Sequence, residues 1–234
     1  MSPLLSQEVF TALRFLSTCE VSNAIERFGT RLRNEGYTDA SIHSVFPEFR
    51  PVTGYAVTVK IKCSSPATDG HNYLEHTEWW NEILRIPSPR IIVIEDIDPK
   101  PGTGALVGAV HAHLFTALEC VAVITNGAVR DLPQVRAIPF HMFAGSVAVS
   151  HAYAHIVEMQ TPVTVGQLKI TPGDLLHADC HGVISLPKEH ASSIPVMAVK
   201  QKTQEDQLIL LCEQLNPSID KIRAKVRELR NKSL

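Results

Sequence analysis

The stretch "GALVGAVHAHLFTALECVAVITNGAVRDLPQV", residues 104–135, decides how this chain folds. It opens on glycines 104 and 108 and continues through an apolar segment long enough for a helix. It then reaches "VAVIT" at 121–125, a short β-branched run of the kind that makes a buried strand. A second such run, "RIIVIED", precedes it at 90–96. Strand, glycine-containing loop, helix and strand form a right-handed crossover between parallel neighbours. Ligands of such folds gather at the carboxyl ends of the strands. The start of the 104–118 helix and the segment 126–131 are therefore expected at one rim. Arg130 and Asp131 stand there, after Asn126 and Gly127, which read as the turn off the strand, and before Pro133, which closes the segment. Adjacent side chains on an extended segment point to opposite faces, so this arginine and aspartate are expected to face different partners.

Outward from this centre, "SQEVFTALRFL" at 6–16 has apolar residues at helical spacing, with Ser6 as a cap. Ser17 and Thr18 break it. "SNAIERFG" at 22–29 reads as a second short helix, capped by Ser22 and stopped by Gly29. "GYAVTVKIKC" at 54–63 alternates as a strand. "NYLEHTEWWNEIL" at 72–84 reads as a helix entered from a turn at 69–70. Beyond the rim, "PFHMFA", "VTVGQLKI" and "GVISLP" are further β segments. From about 203 the pattern is helical again, ending in the amphipathic, basic "SIDKIRAKVRELRNKSL". The class is α/β, with helices in the middle and at both ends.

The 234 residues suit one large domain or a domain with an appendage, and the formal charge of −2 gives no reason to expect nucleic acid or an anionic membrane. The cysteines at 19, 63, 120, 180 and 212 are odd in number and lack C-x-x-C spacing, which points to the reducing cytoplasm rather than a disulfide framework. The first residues do not read as a signal peptide, and no apolar run approaches a membrane span.

Candidate chemistry lies in a few places. The 102–108 glycines approach a dinucleotide fingerprint, but the last interval is too long and the following strand ends in Thr125 and Asn126 instead of an acid. Two readings stay open: a tight turn, or a helix N-terminus that holds an anion. Arg130 can hold a carboxylate or a developing enolate, and Asp131 can hold a hard divalent cation, since magnesium needs few protein carboxylates. His111 and His113 diverge on a helix and cannot share a metal. His151 and His155, four apart, could share one only if "HAYAH" were helical. His177 and His181 flank Asp179 near a turn; they could line a site or be ordinary polar loop residues. No nucleophile motif is present.

The 104–135 block, with its ending N-G-x-V-R-D, resembles the core signature of RraA-like proteins. "LSTCEVSNAIERFG" (16–29) and "ITPGDLLHADCHGVISLP" (170–187) resemble two further blocks of that family, in the same order. The family includes class II 4-hydroxy-4-methyl-2-oxoglutarate aldolases and regulators of ribonuclease E. The resemblance implies a layered β/β/α swivelling-type domain over 1–202, with N-terminal helices. The 203–234 helical extension would pack on the same domain or on a neighbouring subunit. It implies a homotrimer or homohexamer with a site between subunits. It implies Mg2+ or another divalent cation such as Mn2+ on Asp131, Arg130 on the pyruvate moiety, and the backbone of Gly108, Ala109, Val110 and His111 around its carboxylate. The implied activity is retro-aldol cleavage or oxaloacetate decarboxylation, the alternative being non-catalytic binding to a ribonuclease. Two positions depart from the aldolase pattern: Ala109 stands for Gly or Asp, and Gln134 for an acid. A glutamate from a neighbouring subunit is also implied, for which Glu205 is the candidate.

Overall fold

The computed structural model describes residues 5–68 and 77–231. In chain order its elements are α1 (Gln7–Leu13), α2 (Thr18–Glu26), β1 (His43–Ser44), β2 (Val52–Lys62), α3 (Glu78–Arg85), β3 (Arg90–Asp96), α4 (Ala109–Ala117), β4 (Cys120–Val129), α5 (Leu132–Arg136), β5 (His141–Val147), β6 (His155–Met159), β7 (Val163–Val165), β8 (Leu168–Ile170), β9 (Leu175–Asp179), β10 (Gly182–Leu186), α6 (Ile194–Cys212) and α7 (Ile219–Asn231).

The main sheet runs β1-β5-β4-β3-β2-β9-β10, and β6 also pairs with β2. The four central strands, β2 to β5, are mutually parallel. Parallel strands bury both faces, which is why β3 reads as an unbroken apolar run rather than an alternating one. Ile92 and Ile94 point toward Trp79, Ile83, Phe115 and Val135 of the helices on one face. Ile91 and Val93 point the other way, onto Val163, Val165, Leu168 and Ile170 of the β7–β8 hairpin. Hairpin, sheet and helices are the three layers of the expected β/β/α fold. A further cluster joins α1, α2 and α6 to Tyr55, Leu175, Ile184 and Leu186. Among the described residues no helix is long and apolar enough to cross a membrane.

Several local expectations are corrected. The cap of α2 is Ser17, not Ser22: its hydroxyl accepts from the Glu20 amide while Glu20 accepts from the Ser17 amide, a complete capping box. β4 does not turn at Asn126. The Asn126 side chain accepts from the Asp96 amide at 2.7 Å and donates to the Asp96 carbonyl at 3.0 Å, so it stitches β4 to β3 and the strand runs on to Val129. Pro133 does not close the segment but lies in the first turn of α5, where its missing N–H costs nothing. "HAYAH" is not a helix; its last residue opens β6. β9 was not expected. The C-terminal helical pattern begins at Ile194 rather than near 203, and α6 passes through 202 and 203 without a break. Of the helix expected at 72–84, residues 72–76 and the turn before it lie outside the described residues; Thr77 immediately precedes α3, and 78–84 fall within it.

Candidate functional site

Three segments meet at the carboxyl rim of the sheet. The end of β3 fixes the first of them: the Asp96 carboxylate accepts from the Gly102 amide at 2.8 Å. The chain then lies beside β4, with Val107 bridged to Val129 and the Arg130 amide donating to the Val107 carbonyl at 3.1 Å. On its other side the Ala105 amide donates to the Ser150 carbonyl at 3.0 Å. These approaches need glycine. A Cβ on Gly104 would lie 2.4 Å from the His151 carbonyl oxygen, and one on Gly108 would lie 2.4 Å from an Asp131 carboxylate oxygen. Gly108 has φ −136°, so what it provides is space rather than a left-handed backbone.

Asp131 is the left-handed residue, at φ 57° and ψ 37°. Aspartate tolerates that region better than most side chains. The conformation swings its carboxylate back onto the start of α4. One oxygen accepts from the Ala109 amide at 3.0 Å, and the other accepts from Arg130 Nε at 3.2 Å. The expectation that Arg130 and Asp131 would not pair is therefore corrected. The left-handed turn breaks the alternation on which it rested. The Ala109 hydrogen bond holds the Asp131 carboxyl below the usual carboxylate range, against some burial, and the charge of Arg130 adds to it. The positive end of α4 favours the same ionised form.

His151 belongs to this rim, which sequence spacing did not reveal. Its Nδ1 lies 2.6 Å from the Ala105 carbonyl oxygen. Burial lowers its pKa, the Ala105 carbonyl opposes that, Arg130 lowers it further, and Asp131 opposes again. His155 Nδ1 faces the Tyr153 carbonyl oxygen at 2.8 Å instead. Of the other expected residues, Ala109 opens α4 with its amide on Asp131, Val110 is exposed, and His111 is buried against Phe115. Gln134 is exposed on α5. Glu205 lies on α6, accepting from Gln201 Nε2 at 3.0 Å.

Asp131 fits a hydrated hard cation. It is one ionised carboxylate, its side chain keeps 28% accessibility, and each oxygen has a lone pair beyond the hydrogen bond it already accepts. A buried group, Cys63, Asp96 and Asp98, sits near the same rim. There the Asp98 carboxylate is occupied by the amides of Cys63 and Ser64 and the Ser64 hydroxyl, which makes it a fastening for the loop. A cavity of about 750 Å³ opens at the opposite, amino rim, lined by Phe10, Arg14, Phe49, Arg50 and His141 among others, and shares no residue with the Arg130–Asp131 site. Also at that rim, His177 is buried between the Thr53 hydroxyl (2.8 Å) and the Leu16 carbonyl (3.1 Å), and burial pushes it down to about 4.

The architecture is that of known RraA-type structures. An uncharacterized protein from Pseudomonas syringae superposes over 96% of both chains with a TM-score of 0.73 at 20% identity. Streptomyces coelicolor RraAS2, described as an unusual member of the RNase ES inhibitor RraA family, covers 87% of this chain and 96% of its own, with a TM-score of 0.67 at 20% identity. The RraA-like family model, described as Aldolase/RraA, matches residues 18–185, and the chain belongs to that family. A Halalkalibacterium halodurans protein provisionally named a 4-hydroxy-4-methyl-2-oxoglutarate aldolase is 27% identical over 121 residues. That match covers 51% of this chain and 57% of the relative's length.

Proposed function

We propose that this chain is a divalent-metal-dependent lyase acting on carbon–carbon bonds of 2-oxo acids. Its reaction would be retro-aldol cleavage of 4-hydroxy-4-methyl-2-oxoglutarate-type substrates, decarboxylation of oxaloacetate, or both, with pyruvate as the common product. The observation that carries this reading is the convergence of Arg130 and Asp131 on the N-terminus of α4, over a glycine that leaves room for them.

Asp131 would hold Mg2+ or Mn2+ through the ion's water shell; when bound, the cation supplies Lewis-acid polarisation of the 2-oxo group. Arg130 keeps Nε on Asp131, which orients its remaining N–H donors toward the keto oxygen. There it stabilises the negative charge that grows as the bond breaks, usually the largest contribution to such catalysis. The substrate carboxylate suits the first turn of α4, where Val110 is exposed and the helix dipole favours an anion. In the aldol cleavage a water takes the 4-hydroxyl proton and the carbonyl of the departing fragment forms. The electron pair of the broken bond stays with the pyruvate fragment, which is then protonated. Val110, Val147, Val149 and Tyr153 are exposed around this rim, which supports closure of the site by a second copy in a trimer or hexamer.

Pyruvate release from 4-hydroxy-4-methyl-2-oxoglutarate and from oxaloacetate, with and without Mg2+, tests the reading. Turnover of neither substrate, or a metal-dependent rate that survives Asp131→Ala, would sink it. A second reading, a non-catalytic protein that binds a ribonuclease, is favoured by one observation: Asp131 and the Ala109 amide already satisfy each other, while Gln134 offers no further carboxylate. Stoichiometric capture of a ribonuclease, unchanged by metal and by Asp131→Ala, would support it.

A further inference from the structure

We propose that Asp179, Cys180 and His181 form a site for a thiophilic divalent cation of the Zn2+ type, distinct from the Arg130–Asp131 rim. These residues occupy the tight turn between β9 and β10. Asp179 pairs with Gly182 across the hairpin, leaving Cys180 and His181 as the two turn residues. Val52, the first residue of β2, pairs with Ala178, so the turn lies at the amino rim of the parallel strands, away from Asp131.

The donor atoms are already grouped. His181 Nδ1 lies 3.1 and 3.2 Å from the two Asp179 oxygens and 3.4 Å from Cys180 Sγ. One ligand atom from each residue falls within 4.8 Å of the other two. Ligands on a tetrahedral zinc ion, with bonds of about 2.0–2.3 Å, stand about 3.3–3.8 Å apart. A neutral imidazole offers Nδ1 at most one hydrogen, yet two oxygens and a sulfur crowd that single atom. A cation among them answers all of these lone pairs at once. Asp179 is held in place by the amides of Thr18 (2.9 Å) and His181 (2.8 Å), while Cys180 and His181 are open to solvent, so the base of the site is rigid and its entrance accessible.

Water would complete the coordination. Sulfur, nitrogen and oxygen together select zinc-like ions over Mg2+ or Ca2+, which prefer oxygen alone. A cation here would brace the β9–β10 turn, whose Asp179 also receives the Thr18 amide at the start of α2.

The experiment uses the full chain, reduced with a non-thiol reductant, and Co2+ as a spectroscopic probe. The expected result is one Co2+ per chain with a thiolate-to-cobalt charge-transfer band that Zn2+ abolishes by displacement. Cys180→Ser and His181→Ala each remove the band and weaken Zn2+ binding at least tenfold. Asp131→Ala and Cys212→Ser leave it intact, which separates this site from the proposed lyase site. Absence of the band in the wild-type chain overturns the proposal, as does a band that persists in Cys180→Ser.

Discussion

Asp131 and Asp179 use one electrostatic device at opposite rims of the sheet. Each receives the backbone amide at the start of a helix, Ala109 of α4 for the first and Thr18 of α2 for the second. Both carboxyls are held below their usual range. For Asp131 the helix amide is the leading cause; for Asp179 burial works the other way and the amides of His181 and Thr18 outweigh it. They differ in access: the Asp131 side chain is 28% exposed and that of Asp179 5%. A carboxylate nearly sealed in the fold fastens the backbone first and can meet a ligand only on the side that faces Cys180 and His181. One left partly open on a left-handed residue keeps lone pairs for something else.

The sharpest way to break this contrast is to remove each carboxylate. Asp131→Ala is expected to lower pyruvate release by about a thousandfold, with little change in melting temperature. Comparable activity in variant and wild type would erase the functional half of the comparison. Asp179→Ala is expected to cost about 3 kcal/mol in urea unfolding, because it strips a helix cap and strands two amides. A loss below about 1 kcal/mol would mean that water replaces the carboxylate and that the amino rim is less sealed than its burial implies.

Acid separates the rims more finely. His141, at the amino rim, is pushed down to about 4, chiefly by burial. A histidine whose folded pKa lies below its unfolded value of about 6.5 removes stability as pH falls through that window, here about 2 kcal/mol between pH 7 and pH 5. His141→Gln should flatten that slope in unfolding curves at the two pH values. Asp131 works in the same direction but in a lower window: its stabilisation is complete above the ordinary carboxylate pKa and is lost only as pH falls toward its depressed folded value. The smallest expected effect is that of Gly108→Ala. Its Cβ would meet the Asp131 carboxylate, and the rate should fall about tenfold, about 1.4 kcal/mol on the barrier, while α4 itself remains.

The crossover from β3 to β4, the Arg-Asp pair and the glycine at the helix start were legible because periodicity and residue type sufficed. The Ser17 box was legible as S-x-x-E, a stronger signal than Ser22, which has Ile25 three residues on; reading Ser17 and Thr18 as a break passed over it. Asn126 misled because Asn-Gly is a turn signal only until a neighbouring strand offers Asn126 a backbone amide and carbonyl, and that is a long-range fact. The pairing of Arg130 with Asp131 depends on one φ angle. His151 reaches the site through the 148–151 loop, whose path no spacing encodes.

The unbroken course of α6 has a consequence for assembly. Its 19 residues span about 28 Å, and of these Ile194 and Ala198, near one end, are buried. Gln201, three residues on, still accepts from Arg27 at the end of α2 at 3.3 Å, and Gln207 accepts from Lys225 of α7 at 2.6 Å. One continuous helix therefore sets where α7 sits, and lengthening α6 by one residue between these contacts would swing α7 about the helix axis by about 100°.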